Sequence, residues 1–201
     1  MSLHPDKTDS SEKSRLRKQF DNYRKNLAED DYARRSAAMV ERILALPELD
    51  CAGFVLAYWP MIQRHEPDMR SLITRLRKQD VAVGLPLVPD IGVPSMYAVR
   101  YTGEEPIMEP PWGIPRPAGS EQVPSDRIDT VIVPMLGGAR DGHRIGHGKG
   151  YYDAFLQGLQ AIRIGVTYQA CLLESIPSEL HDMRMDILVT EEEVVRTEAP
   201  V

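Results

Sequence analysis

"DTVIVPMLGGARDGHRIGHGKGYYDAFL", residues 129–156, holds a strand, a glycine loop and a helix in that order. Asp129 to Met135 is a short apolar run rich in β-branched residues, the composition of a strand buried on both faces. Five glycines follow between Gly137 and Gly148, and "GYYDAFLQGLQ", Gly150 to Gln160, reads as a helix. A glycine-rich turn from a strand to a helix presents backbone N–H groups to an anion, because no Cβ blocks the approach and positive φ is free. Arg144 and Lys149 add positive charge. Ligands of open α/β sheets bind at this carboxyl edge of the strands.

The two standard phosphate templates do not fit. A Walker loop needs Ser or Thr after Gly-Lys, whereas Lys149 is followed by Gly150, and Gly146, Gly148 and Gly150 give GxGxG where a dinucleotide fingerprint needs GxGxxG. His143 and His147 have the spacing of a helical metal pair, but the glycines between and beside them oppose a helix, so zinc is discounted. Asp153, in the first turn of the helix, is either an acid favoured by the helix dipole or a Mg²⁺ ligand. On the residues alone the passage is an anion loop of unspecified type, or a glycine-rich connection without a ligand.

Working outward, Leu16, Phe20, Tyr23 and Leu27 recur at helical spacing among Lys and Arg, and a second helix spans about Asp31 to Leu46 until Pro47 ends it. "GFVLAYW" (Gly53–Trp59) and "VAVGLPLV" (Val81–Val88) read as strands, with a helix carrying Met69, Leu72, Ile73 and Leu76 between them. Pro86 to Pro124 is rich in Pro and Gly and contains one alternating segment, "SMYAVRYT". "RIGVTY" and "MDILVT" supply two further short strands. The expected fold is α/β, a single three-layer domain with a mostly parallel sheet, helices on both faces and an accessory strand and loop region. The expected domain covers residues 11–195, with a disordered stretch at 1–10 and a tail at 196–201.

Composition narrows the partners. A chain of 201 residues with 42% hydrophobic content can bury one sizeable core, and a net charge of −6 argues against general affinity for nucleic acid or anionic membrane. The N-terminus lacks the apolar core of a signal peptide and no stretch approaches membrane-spanning length, so a cytoplasmic location is expected. Cys51 and Cys171 have no metal spacing and read as buried reduced thiols.

"GHRIGHGKGYYDAFL" resembles the signature of the 5-formyltetrahydrofolate cyclo-ligase family, with Arg144, Ile145, Gly146, Gly148, Lys149, Gly150, Tyr151, Tyr152 and Asp153 matching without a gap. Other stretches agree in order. Lys13 and Arg17 resemble the family's basic N-terminal helix; "PMIQRHEPDMRSLI" has Glu66 in place and Met69 where Thr is usual; "WGIPRP" (Trp112–Pro117) resembles a segment lining the folate pocket. In the closing segment Gln169, Pro177, His181, Asp182 and Asp186 fall in register. Where the family carries Phe-Asp, this chain has Gly138 and Ala139, with Asp141 two residues later.

The resemblance implies a ligase that converts 5-formyltetrahydrofolate to 5,10-methenyltetrahydrofolate through a phosphorylated formyl intermediate, with ATP as co-substrate and Mg²⁺ as cofactor. It implies catalytic roles for Lys149 and Arg144, and ATP binding by Lys13, Arg17, Arg144, Gly146, His147, Gly148, Lys149, Gly150, Tyr151, Tyr152 and Asp153. Glu66, Met61, Trp112, Gly113, Ile114 and Tyr152 would bind folate, and Asp153 and Asp186 would hold Mg²⁺. Partners would be small molecules, with no nucleic acid or membrane, and the protein a monomer or weak dimer. Two alternatives remain open at this point: a non-catalytic nucleotide- or folate-binding relative, and an ATP-dependent enzyme acting on another small acceptor.

Overall fold

The computed structural model describes residues 7–90, 92–110, 113–179 and 181–197, with residues 7–10 described as backbone alone. The chain begins with helices α1 (Lys7–Lys25), α2 (Glu29–Leu44) and α3 (Pro47–Asp50), then strand β1 (Phe54–Leu56), helix α4 (Arg70–Lys78) and strand β2 (Ala82–Leu87). An accessory region supplies β3 (Tyr97–Arg100), β4 (Ile107–Glu109), β5 (Ile114–Arg116) and β6 (Gln122–Val123). There follow β7 (Thr130–Pro134), β8 (Gly137–Ala139), β9 (Arg144–Ile145), helix α5 (Tyr151–Leu156), β10 (Ile162–Val166), β11 (Leu172–Leu173), β12 (Ile187–Val189) and β13 (Val194–Arg196).

An eight-stranded sheet in the order β13-β12-β10-β7-β1-β2-β3-β6 forms the centre. Five of its strands, β12, β10, β7, β1 and β2, are parallel; β13 and β3 run antiparallel to them on either side, and β6 pairs antiparallel with β3 at the outer edge. Because side chains alternate along a strand, each core strand serves two layers. Ile132, Ile164 and Ile187 lie side by side across three strands and pack with Phe20 of α1, Ile43 of α2 and Leu72 of α4. Their neighbours Val131, Val133 and Leu188 face the other way, onto Leu156 of α5 and Met96 and Ala98 of the accessory region. The expected α/β fold with helices on both faces is the one observed, and its layers are unequal. One face carries three long helices, the other a six-residue helix and loops.

Several local expectations are corrected. Helix α1 begins at Lys7, inside the stretch 1–10 expected to be disordered; residues 1–6 lie outside the described set. At the other end Arg196 closes an edge strand and the Thr197 N–H donates to the Asp186 carbonyl, both just past the expected boundary at 195; residues 198–201 lie outside the described set. Pro47 does not simply stop α2, which ends at Leu44; it begins a one-turn helix, where its missing N–H costs nothing. Helix α5 stops at Leu156 and not Gln160, because Gly158 takes φ +77°. Cys51 is exposed, and only Cys171 is the buried thiol expected of both.

The passage expected to be all loop begins with a small sheet. β8 pairs antiparallel with β9 and parallel with β11. Gly137 sits so close under α1 that a Cβ there would lie 2.2 Å from the Phe20 ring, a separation no side chain can adopt. Among the described residues no helix is long and apolar enough to cross a membrane.

Candidate active site

The carboxyl ends of β1, β2 and β7 open onto a cavity of about 420 Å³, within the ~300–1,000 Å³ range of small-molecule sites. α1 and the loop from β9 to α5 bring basic groups to it: Lys13, Arg17, Arg144, His147 and Lys149. Residues just beyond β1 and β2, with the accessory region, supply an apolar wall that includes Trp59, Leu85, Val88, Met96 and Ile114. Glu66 reaches the same space from the turn before α4.

The basic stripe of α1 follows from helical geometry. Lys13 and Arg17 are four residues apart and therefore share a face, while Leu16 and Phe20 anchor the neighbouring face in the core. Arg17 Nε donates to the Gly146 carbonyl at 3.0 Å, tying the helix to the glycine loop. Lys13 Nζ sits 2.7 Å from Asp182 and 3.0 Å from Glu179. Burial alone would lower the Lys13 pKa, but its bonds and charge pairing with Asp182 and Glu179 outweigh burial and raise it. Asp182 is the mirror case: burial pushes it up, and the Lys13 bond with the Glu179 N–H holds it below its ordinary value. Lys13 is thus kept charged at the cavity.

In the loop, Arg144 has a side chain only 6% exposed and bonds Asp153 Oδ1 at 2.7 Å and the Met183 carbonyl at 2.5 Å. The Met183 N–H returns to the same Asp153 oxygen. Arg144 and Asp153 therefore hold each other and the closing segment of the chain. Gly148 and Gly150 have φ of +76° and +73°, so Lys149 is carried on a turn that other residue types resist. The Tyr151 hydroxyl accepts from the Gly92 N–H. His147 is exposed on the glycine loop, where it lines the cavity with protein packed around its walls. Burial first, then the positive charges of Arg24, Arg64 and Arg17, pull its pKa down to about 4 against a smaller opposing pull from Asp21.

On the folate side of the expected assignment, Glu66 is 4% exposed and accepts from the Met61 N–H at 3.0 Å. Burial raises its pKa, opposed chiefly by Arg24 and then by the Met61 bond. Tyr152 lies beside it; burial, with the Glu66 charge adding, raises its hydroxyl well above the ordinary value. Met61, Glu66, Ile114 and Tyr152 line the cavity together. Gly113, with φ +67°, is the described end of the turn between β4 and β5, and Trp112 lies outside the described residues.

Asp186 is corrected. It precedes β12 and pairs with Arg163 of β10, its Oδ2 also taking the Arg163 N–H at 2.8 Å. Asp186 and Arg163 line a separate, shallow hollow with Asp129 and Thr130, at the amino end of the parallel strands. The residue four positions earlier, Asp182, lines the central cavity with Asp153. Among the described residues no group of three or more His, Cys, Asp or Glu side chains could hold a metal ion alone. Two carboxylates on the cavity fit Mg²⁺ held partly by phosphate oxygens, its usual manner of binding.

Asp141 does not replace the family's missing acid. It closes its own turn, accepting from the His143 N–H at 3.1 Å, and it does not line the cavity. A side chain at position 138 would be tight, since a Cβ there meets the His143 carbonyl at 3.0 Å and the flexible end of Met135 at 3.2 Å, and these neighbours would have to give by a few tenths of an ångström. Sequence reading also passed over Tyr58 and Arg64, both on the cavity wall. Tyr58 carried a signal, its place just past the carboxyl end of a strand; Arg64 carried none.

A family model described as the 5-formyltetrahydrofolate cyclo-ligase family matches residues 9–191. The chain is 29% identical over 203 aligned positions to a Schizosaccharomyces pombe protein named "Probable 5-formyltetrahydrofolate cyclo-ligase", covering 93% of this chain and 98% of that one. It is 25% identical to the 5-formyltetrahydrofolate cyclo-ligase of Mus musculus, over 92% of this chain and 96% of the mouse protein. The NMR structure of Aquifex aeolicus 5,10-methenyltetrahydrofolate synthetase superposes with a TM-score of 0.80 at 30% identity, covering 94% of each chain.

Proposed function

The chain belongs to the 5-formyltetrahydrofolate cyclo-ligase family, and we propose that its cavity converts 5-formyltetrahydrofolate to 5,10-methenyltetrahydrofolate with cleavage of ATP. The observation that carries the proposal is the meeting of two chemistries in one cavity: a basic rim from α1 and the glycine loop, and a buried carboxylate, Glu66, in a largely apolar wall. The first suits a triphosphate and the second a pterin with hydrogen-bonding edges.

In this reading the formyl oxygen displaces ADP from the γ-phosphorus. N10 then adds to the formyl carbon, and phosphate departs with that oxygen as the N10 proton is lost, leaving the methenyl bridge. Phosphoryl transfer depends on positioning and on neutralising charge at the phosphate oxygens. Lys149, Lys13 and Arg17 neutralise, the loop's backbone N–H groups orient, and Arg144 works mainly by fixing Asp153. Mg²⁺ supplies further charge stabilisation when bound. Asp153 and Asp182 are the carboxylates that would hold it, in place of the expected pair Asp153 and Asp186. The apolar wall keeps water from the activated formyl group. The proposal includes a cytoplasmic location and a monomer or weak dimer acting on small molecules.

The decisive assay mixes the protein with MgATP and 5-formyltetrahydrofolate. A rise in the methenyl product's near-ultraviolet absorbance, matched by ADP release, is expected. Binding of both ligands without either signal would identify a non-catalytic relative, and ADP release with a different acceptor only would identify another reaction.

His147 gives an independent test. Its pKa of about 4 keeps the imidazole neutral in the free protein, whereas triphosphate beside it favours the protonated ring. Near pH 5.5 the γ-phosphate of ATP also releases protons on entering a basic site, so the readout is a difference: measured calorimetrically in two buffers of different ionisation enthalpy, the parent is expected to take up more protons per ATP bound than His147→Gln. An equal proton balance in parent and variant would remove the phosphates from His147.

A further inference from the structure

Glu66 stands on a turn held from behind in an unusual way. Three consecutive carbonyls, those of His65, Glu66 and Pro67, each accept a hydrogen bond from a different tyrosine: Tyr168 at 2.8 Å, Tyr32 at 3.0 Å and Tyr58 at 2.8 Å. The hydroxyls come from three separate parts of the scaffold, the residues after β10, helix α2 and the residues after β1. We propose that Tyr32, Tyr58 and Tyr168 are positioning residues that fix where the Glu66 carboxylate meets the folate. This rests on the reading that Glu66 contacts folate.

All three tyrosines are buried, with Tyr168 at 0% exposure, so their hydroxyls have no water to turn to. A phenylalanine would fill each site with the same ring, and what the hydroxyl adds is a directed bond to one carbonyl. The next residue is held in the same manner, the Asp68 N–H donating to Ser36 Oγ of α2 at 3.0 Å. His65 has φ +45°, a left-handed conformation that a non-glycine residue keeps only when its surroundings impose it. Its ring stacks on Tyr32 with centroids 4.9 Å apart, and Nδ1 meets the Arg24 carbonyl at 2.7 Å. Side chains of the rigid scaffold thus fix four successive backbone positions. The Glu66 carboxylate, bonded to the Met61 N–H, is then left with little freedom. A small displacement of such a group weakens one substrate contact and leaves the rest of the cavity intact.

Tyr32 and Tyr168 lie behind the turn and do not line the cavity, so any effect they have on folate must pass through Glu66. In the full-length protein, Tyr32→Phe and Tyr168→Phe are each expected to raise KM for 5-formyltetrahydrofolate by roughly three- to tenfold, the scale of one lost hydrogen bond. KM for ATP stays unchanged. In a Glu66→Ala background the same Tyr→Phe changes are expected to leave the folate KM where Glu66→Ala alone put it, while still lowering the melting temperature. A purely structural role would instead lower the melting temperature and the active fraction with both KM values unmoved, and that result overturns the proposal. If Glu66→Ala itself leaves the folate KM unchanged, the contact reading fails, and the positioning role falls with it. Should Tyr168→Phe fail to fold, Tyr32→Phe decides the question by the same readouts.

Discussion

Replacing Lys149 by alanine is expected to lower kcat/KM about a hundredfold, ~3 kcal/mol of transition-state stabilisation, with the melting temperature almost unchanged. Lys149 lines the cavity and is exposed on a glycine turn outside the core, so its loss removes a charge at little cost in packing. Arg144 is a poorer probe: its side chain is 6% exposed and bonded to Asp153 and Met183, so truncation strands a carboxylate and unhooks the closing segment as well. Lys13 has a similar defect, because removing it leaves Asp182 and Glu179 facing each other. Steady-state kinetics in ATP and in folate, beside a thermal melt, check the result. An unchanged kcat/KM would mean that the glycine loop is not where phosphate charge develops. A large fall in melting temperature would mean that the turn is part of the core.

The parallel core was legible because its signal is local and repeated. Apolar runs such as Asp129–Met135 leave few options other than buried strands, and the helices between them show their period openly. The glycine passage was legible as a ligand loop for the same reason, with positive φ observed at Gly148 and Gly150. The two-residue strands β9 and β11 were not, because such short pieces are defined by their partners across the sheet and have no pattern of their own. Asp186 was misplaced by a related limit. Asp182 and Asp186 are both acids in one closing segment, and sequence alone does not tell which precedes the turn toward the cavity and which begins the strand at the far end. Pairing of Asp186 with Arg163 of the neighbouring strand resolves it. The turn carrying Glu66 was also hidden, since Tyr32, Tyr58 and Tyr168 are distant in sequence and each reads as an ordinary core aromatic.

Glu66→Gln is expected to move activity and stability in opposite directions. Glu66 is 4% exposed, and burial holds its pKa above the ordinary 4.5 despite the opposing charge of Arg24. A raised folded-state pKa fixes the sign of the linkage. Below pH 4.5 the carboxyl is protonated in both states and burial carries no ionic penalty. As pH rises through 4.5 the unfolded chain ionises freely while the folded one must ionise inside the wall of the cavity, so stability is lost until the folded-state pKa is passed. Glutamine keeps the shape and still accepts from the Met61 N–H, but it has no charge to bury. The variant should therefore melt higher than the parent at pH 7, and the two curves should converge as the pH falls toward 4. Its KM for 5-formyltetrahydrofolate should rise by about ten- to a hundredfold, the scale of one charge-assisted hydrogen bond, with KM for ATP unmoved. A lower melting temperature at pH 7 would refute the burial account, and an unchanged folate KM would refute the contact. Both results as expected would explain why an acid persists in an apolar wall: its ionised form destabilises the folded chain at neutral pH and is retained for the substrate it orients.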